Sequence, residues 1–401
     1  MEKIKIVNAK VILPEGVRTD VSVLVGDGKI LSVTQSAPDG DGKILSVTHD
    51  APDGDGLIEL DAAGNYLSPG FIDIHNHGRL YADVMDNSRE SLSRIAKDLL
   101  SHGVTGFLIT TQSAPHEHTL DVIRTSAEYI RDPDPDGAQP LGIYLEGPYF
   151  SESKKGAQQI PQYGGVDLRE LEELIGAGEG LIRVVALAPE LPNATQAIRM
   201  LTERGIVASA AHTIADYETA VGAIDAGVSL LTHTFNAMNP LGHREPGVPG
   251  ACLTDRRVTC EAIVDGLHLH PATVKLIHIV KGSEGIVLIS DSVAAAGIPD
   301  GVYDYMGMKV TVHKGAVRMP DGTLVGSTIS LDTAVRNMSA FTGCSVSEAV
   351  TMAAFNPAHL LGFGVEKGAI EAGKDADLII FDENVNIRSV IAGGKIVNID
   401  R

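Results

Sequence analysis

The chain has 401 residues, 44% of them hydrophobic, and a formal net charge of −20. That apolar content supports one large core or two domains. So acidic a surface repels phosphate backbones and anionic lipid, which argues against nucleic acid and membranes as partners, whereas an anionic small substrate would need a local cationic pocket. Cys252, Cys260 and Cys344 are too few and too scattered for a disulfide framework or a thiolate metal site, so a reducing, cytoplasmic setting is expected. "MEKIKIVNAK" has no apolar h-region and no long apolar run follows, so neither secretion nor membrane insertion is expected.

In chain order, the first 66 residues read as short strands and turns, with Asp-Gly turn signals inside alternating runs such as "DVSVLVGDGKILSV". "DGKILSVTQSAPDG" (27–40) is repeated at once as "DGKILSVTHDAPDG" (41–54), a local duplication that predicts an extra hairpin or loop and leaves His49 without chemistry. The middle, 67–365, alternates apolar runs with helical patterns. Strands are predicted at 70–75, 104–111, 141–147, 182–189, 205–212, 228–233, 259–266 and 285–291. Eight near-continuously apolar strands separated by helical stretches predict an α/β fold, a closed (β/α)8 TIM barrel. The last residues, 366–401, again read as strand and turn, so 1–66 and 366–401 are expected to share one small β-sandwich domain.

In such a barrel the active site lies at the C-terminal ends of the strands. The first predicted strand ends in His75 and His77, the third at Glu146, the fifth at His212, the sixth at His233 and the eighth at Asp291. Residues two apart on a strand face the same side, so His75 and His77 point together. Imidazoles converging with carboxylates suit a divalent cation such as Zn²⁺ or Fe²⁺. Any one of these histidines, taken alone, could be a hydrogen-bonded structural residue; six such groups on five strand ends favour a metal. His116 and His118 ("HEH") follow Pro115 and read as surface residues of a polar loop. Asp73 and Asp265 read as structural, and His102, His243 and His270 as satisfied or exposed.

"PGFIDIHNHG" resembles the opening motif of the amidohydrolase superfamily. "YLEGPYF", "AHTIAD", "THTFNAMNPLGHREPG", "IVDGLHLHP", "ISDSVAAAG" and "GTLVGSTISLDTAVRN" together resemble its deacetylases of N-acetylhexosamine 6-phosphates. The resemblance implies that Glu146, His212 and His233 hold the principal metal and that His75 and His77 build or support a second position, giving one or two ions per subunit. It implies Asp291 as general base and acid. Asn236 and Ala237 would meet the sugar phosphate and His268 would help bind the sugar. Arg244 would reach the phosphate of a neighbouring subunit, which implies a homodimer, and Leu324 to Gly326 would line the pocket. Without the resemblance, Asn236 and Arg244 could equally cap and brace a loop. The family's "GAH" reads Gly156-Ala157-Gln158 here, so Gln158 replaces a histidine that would contact substrate, and its amide can still donate a hydrogen bond. The usual "GHT" reads Ala211-His212-Thr213, which keeps the ligand.

The expected reaction is hydrolysis of the acetamido group of a small-molecule sugar phosphate, most of all N-acetylglucosamine 6-phosphate, with the galactosamine epimer as the alternative. A cyclic amidase of the same superfamily is a rival, but the lysine that many of those carboxylate on the fourth strand is missing from "IRVVALAPE". A non-enzymatic barrel is a second rival, and it should have lost ligands that this chain keeps.

Overall fold

A computed structural model describes residues 3–35, 57–158, 164–305 and 307–397. Its centre is an eight-stranded parallel sheet whose strands neighbour one another in strict chain order. They are numbered within this sheet: β1 Phe71–Asp73, β2 Val104–Thr111, β3 Gln139–Glu146, β4 Ile182–Leu187, β5 Val207–Ala210, β6 Val228–Leu231, β7 Thr259–Ala262 and β8 Ile286–Leu288. Nearly every residue in them is buried, as expected of parallel strands covered on both faces. The crossovers carry helices α1 Arg89–Ser101, α2 His116–Arg131, α3 Leu168–Ala177, α4 Ala194–Glu203, α5 Tyr217–Ala226, α6 Gly247–Thr254 and α7 Pro271–Lys281; α8 Leu331–Thr342 follows β8. Three of these helices, α1, α3 and α5, start where a short polar side chain (Ser88, Asp167, Asp216) accepts from a free N–H group. Asp167 accepts from Arg169 N at 2.9 Å, and Asp216 from Thr219 N at 2.8 Å. α1 buries Leu92, Ile95, Ala96, Leu99 and Leu100, the stripe that a 3.6-residue period places on one side.

The strand ladder does not return from β8 to β1. Instead the two meet just beyond their ends. Asp291 N donates to His75 O at 2.8 Å, Asn76 bridges Ser292, and the Asp73 carboxylate accepts from Ser290 Oγ at 2.6 Å and Ser290 N at 3.2 Å. β1 and β8 are only three residues long, and a β1 side chain accepts where a backbone carbonyl would continue a ladder. Asp73 is therefore structural, as expected.

Both ends of the chain build two further sheets. One orders Lys29–Gln35, Val21–Gly26, Lys3–Val7 and Leu57–Asp61; the other orders Lys395–Val397, Ile387–Ala392, Leu378–Phe381, Tyr66–Pro69, Lys10–Leu13 and Gly16–Arg18. A separate apolar cluster, including Ile6, Val11, Val23, Val25, Leu67, Leu378 and Ile391, joins them. The first repeat copy opens with a hairpin turn, Asp27 and Gly28 having φ of 54° and 76°. Residues 36–54 of the duplication, His49 among them, lie outside the described residues.

A fourth sheet was not anticipated. Gly301–Tyr305, Met308–His313, Ala316–Arg318 and Leu324–Ser327 form an antiparallel meander between β8 and α8, with its own cluster of Val310, Val312, Val317 and Val325. The expectation for His116 and His118 is also corrected. Pro115 begins α2 rather than a loop, and proline suits a helix start because its missing N–H would be unpaired there. Both histidines are half-buried; His116 faces Glu170 and Glu173, and His118 Nε2 pairs with Met85 O. Among the described residues no helix is long and apolar enough to cross a membrane.

β1 depends on a close approach to β2. A Cβ on Gly70 would lie 2.1 Å from Thr105 Oγ1 and 2.4 Å from its Cγ2. Gly70→Ala should therefore cost about 1–3 kcal/mol of stability, as overpacking does. Chemical denaturation checks this, and a change within 0.3 kcal/mol or so, the usual additivity error, would contradict it.

Candidate active site

The C-terminal ends of β1, β3, β5, β6 and β8 bring six buried side chains to one place. His75, His77 and Asp291 form one group and Glu146, His212 and His233 another, the ligand atoms within each group lying within 4.8 Å of one another. Glu146 faces both. Its Oε1 is 3.3 Å from His212 Nε2, 3.1 Å from His233 Nε2 and 3.5 Å from His75 Nε2, and its Oε2 is 3.4 Å from His77 Nε2. Asp291 Oδ1 lies 3.2 Å from His77 Nε2 and 3.6 Å from His75 Nε2.

The backbone departs from strand geometry where it carries the ligands. His212, His233 and Asp291 have φ of 45°, 27° and 47°, and Phe235 and Ala237 are left-handed as well. Such conformations are sparse outside glycine and persist only where the surroundings enforce them. They break the strand's alternation at the residue that bears the ligand. Phe150 stacks on the His212 ring at 4.2 Å, and Tyr144 packs against His75 at 4.8 Å with its hydroxyl 2.7 Å from Thr232 Oγ1.

Proton positions follow from the outer contacts. His75 Nδ1 lies 3.0 Å from Glu261 Oε2, His77 Nδ1 3.2 Å from Thr110 O, and His212 Nδ1 2.8 Å from Lys154 O. Those partners accept, so each Nδ1 donates and each ring turns its Nε2 inward, where a neutral ring presents a lone pair. Inward-facing nitrogens then meet one another: His75 and His77 Nε2 are 3.1 Å apart, as are His212 and His233 Nε2. Lone pairs and carboxylate oxygens packed this closely repel unless positive charge lies among them. The donor set of imidazole nitrogen and carboxylate oxygen fits a divalent cation in either group.

Lacking a cation, the cluster draws in protons. Burial disfavours a charged His75, but Glu261, Asp291 and Glu146 outweigh it and push its pKa up to about 10. Burial likewise opposes the rise at His233, which Glu146 drives. Glu146 is itself held well below the usual carboxylate range, its desolvation overcome by hydrogen bonds to His212 and His233.

A pocket of about 240 Å³ opens over these groups, bounded also by Gln158, Asn236, Ala237, His268 and Leu324 to Gly326. The residues singled out from sequence therefore converge, with one exception. Arg244 is exposed, pairs with His243 Nε2 at 2.8 Å, and does not line this pocket. Asn236 both lines the pocket and braces its loop, donating to His233 O and Thr234 O. His268 is oriented by Asp265, whose Oδ2 lies 2.7 Å from Nδ1. Gln158 does not hang free: Nε2 donates to Glu146 Oε2 at 2.6 Å, and Oε1 accepts from Ser113 N at 2.8 Å. His102 Nδ1 lies 3.3 Å from Asp332 Oδ1, and His270 caps α7.

Sequence reasoning missed Glu261, Gln112 and Tyr305. Glu261 left a signal, a carboxylate inside the otherwise apolar run of β7. Gln112 and Tyr305 line the pocket and pair at 2.6 Å, but Tyr305 comes from the unanticipated meander. A wider cleft of about 1260 Å³ lies against Ile12, Pro69, Thr259 and Phe355, yet among the described residues no metal-ligating cluster sits in it.

A cation entering this site must displace the proton that His75 holds up to about pH 10. Loading chelator-stripped protein with Zn²⁺ near neutrality should release protons, and affinity should rise roughly tenfold per pH unit between about pH 6 and pH 8. Titration in weak buffer measures both. Tight binding with neither proton release nor pH dependence would contradict the assignment.

The sequence pattern of the amidohydrolase family matches residues 66–397. The N-acetylgalactosamine-6-phosphate deacetylase of Escherichia coli O157:H7 is 40% identical over 332 residues, covering 83% of this chain and 88% of that protein. The N-acetylglucosamine-6-phosphate deacetylase of Bacillus subtilis strain 168 is 37% identical over 380 residues, covering 94% and 92% respectively. Among solved structures, the N-acetylglucosamine-6-phosphate deacetylase of Pasteurella multocida superposes with a TM-score of 0.89 at 29% identity, covering 99% of this chain and 100% of that one. That of Thermotoga maritima gives 0.84 at 34% identity, covering 98% and 99%. The family pattern takes in all eight parallel strands and the clustered ligands at their ends, and this chain belongs to the amidohydrolase family.

Proposed function

We propose that this chain is a metal-dependent deacetylase that hydrolyses the acetamido group of an N-acetylhexosamine 6-phosphate to acetate and the amino-sugar 6-phosphate. The observation that carries this reading is the pair of buried ligand groups, meeting at Glu146, beneath a pocket walled by Asn236, Ala237 and His268. In this reading residues 67–365 are a (β/α)8 barrel whose β8–β1 seam is joined by the bonds beyond the strand ends rather than by a ladder, and 1–66 with 366–401 a small β-sandwich domain. Zn²⁺ or Fe²⁺ suits the donors, one ion held by Glu146, His212 and His233 and a second position offered by His75, His77 and Asp291. The three free cysteines support a reducing, cytoplasmic setting.

A bound divalent cation supplies Lewis acidity, polarising an acyl oxygen and acidifying water. The chain's own residues do the rest. Burial works against ionisation of Asp291, but His75 and His77 outweigh it and hold its pKa below the usual carboxylate range. The carboxylate can therefore take a proton from the water whose oxygen attacks the acetamido carbon. As the C–N bond breaks, the same carboxyl delivers that proton to the amine, which leaves poorly without it. His268, fixed by Asp265, offers its Nε2 to the sugar. Among the described residues no lysine or arginine bounds the pocket, so a phosphate dianion needs a fixed cation from elsewhere. We assign that role to Arg244 of a second copy of the chain, in a homodimer.

N-acetylglucosamine 6-phosphate is the substrate we favour, since the Bacillus subtilis relative and the Pasteurella multocida and Thermotoga maritima structures are named for it. The galacto epimer is the second reading, favoured by the E. coli O157:H7 relative and by Gln158 standing where a histidine is usual. A parallel assay of acetate release from both epimers decides between them, and release from neither would overturn the proposal.

Asp291→Asn should lower kcat roughly 100- to 10,000-fold while the cation at Glu146, His212 and His233 stays bound. Near-normal turnover in that variant would remove Asp291 from its role. Arg244→Ala should raise KM for the phosphorylated substrate. Mixed with Asp291→Asn, it should regain about a quarter of wild-type activity per chain, because half of randomly paired dimers hold one intact site of two. No recovery on mixing would rule out sharing between subunits.

A further inference from the structure

We propose that Glu261, on β7, is a positioning residue that holds one ligand from each of the two metal-binding groups through a single oxygen; the inference rests on the metal-dependent reading above. Its Oε2 lies 3.0 Å from His75 Nδ1 and accepts from His233 N at 2.9 Å. The first contact fixes a ring of one group in the tautomer that turns Nε2 towards Glu146 and Asp291. The second pins the peptide of His233, a ligand of the other group, where φ is 27° and the backbone has little intrinsic preference to stay. One oxygen therefore sets a ring just beyond β1 and a turn after β6.

The cost of keeping a carboxylate here argues that it has a task. Glu261 is completely buried, and its Oε1 has no hydrogen-bond partner among the described residues. A carboxyl group so desolvated and half-satisfied is expensive, and an apolar side chain of similar volume would ordinarily be neutral or stabilising in its place. The neighbours on β7, Cys260 and Ala262, are apolar and buried, as a strand needing only packing would be throughout. What an apolar residue cannot do is accept from His75 and His233 together. Outer carboxylates that orient ligating imidazoles commonly account for ten- to hundredfold in metal affinity.

The test compares full-length wild type, Glu261→Gln and Glu261→Asp, each stripped with chelator and titrated with Co²⁺ against a competing chelator. The Co²⁺ absorption bands report ligand geometry, and thermal unfolding of the stripped proteins reports the fold. Glu261→Gln keeps the shape and loses the charge, and Glu261→Asp keeps the charge and withdraws the oxygen by one methylene. Both should bind Co²⁺ about 10- to 100-fold more weakly with altered bands, while the stripped proteins unfold at wild-type temperature or above. Wild-type affinity and bands in either folded variant would overturn the inference. If the wild type itself bound no Co²⁺ or Zn²⁺, the metal-dependent reading would fall first, a result that cannot be mistaken for failure at Glu261 alone.

Discussion

Three buried carboxylates, Glu146, Asp291 and Glu261, share one small volume into which, among the described residues, no lysine or arginine reaches. Negative charge removed from water must be compensated, and here the compensation is not built into the chain. The histidines cannot supply it as neutral rings, because three of them already spend their Nδ1 protons on Glu261, Thr110 and Lys154. The remaining solutions are protons or a cation. Much else in the molecule serves that arrangement, from left-handed turns after β5, β6 and β8 to aromatic rings packed on His75 and His212.

The ends of the parallel strands perform the assembly. Apart from Glu261 in β7, the strands are too apolar to hold such groups along their length, so chemistry collects where the strands stop. For β3 the ligand is the last strand residue, Glu146, whereas for β5, β6 and β8 it follows a reversal of φ. The pocket is then completed from outside the parallel sheet, by the meander carrying Tyr305 and Leu324 to Gly326.

Much of this was legible in the sequence because it depends on local pattern. Eight apolar runs separated by helical periods gave the strands in order, and His75, His77, Glu146, His212, His233 and Asp291 stood out by lying at their ends. What escaped depends on contacts between distant residues. The Asp73–Ser290 bonds that join β1 to β8 have no local signature, and neither does the pairing of Gln112 with Tyr305. The run 301–327 alternates like the small β domain, so nothing in it says that it packs over the site. Glu261 was visible as a charge in an apolar strand, but its partners lie just after β1 and after β6. Arg244 was legible as a motif residue, and its distance from this chain's pocket was not.

The sheet shared by the two ends of the chain has a consequence for biosynthesis. Leu378 hydrogen-bonds alongside Pro69, and Phe381 alongside Tyr66, so Tyr66–Pro69 waits for a neighbour translated about 300 residues later. Until then the edge that Tyr66–Pro69 offers to Leu378–Phe381 is bare, directly ahead of the strand that leads into His75 and His77. A nascent polypeptide halted before residue 378 would emerge from the ribosome with that edge unsatisfied, the kind of surface that chaperones occupy and that aggregates recruit.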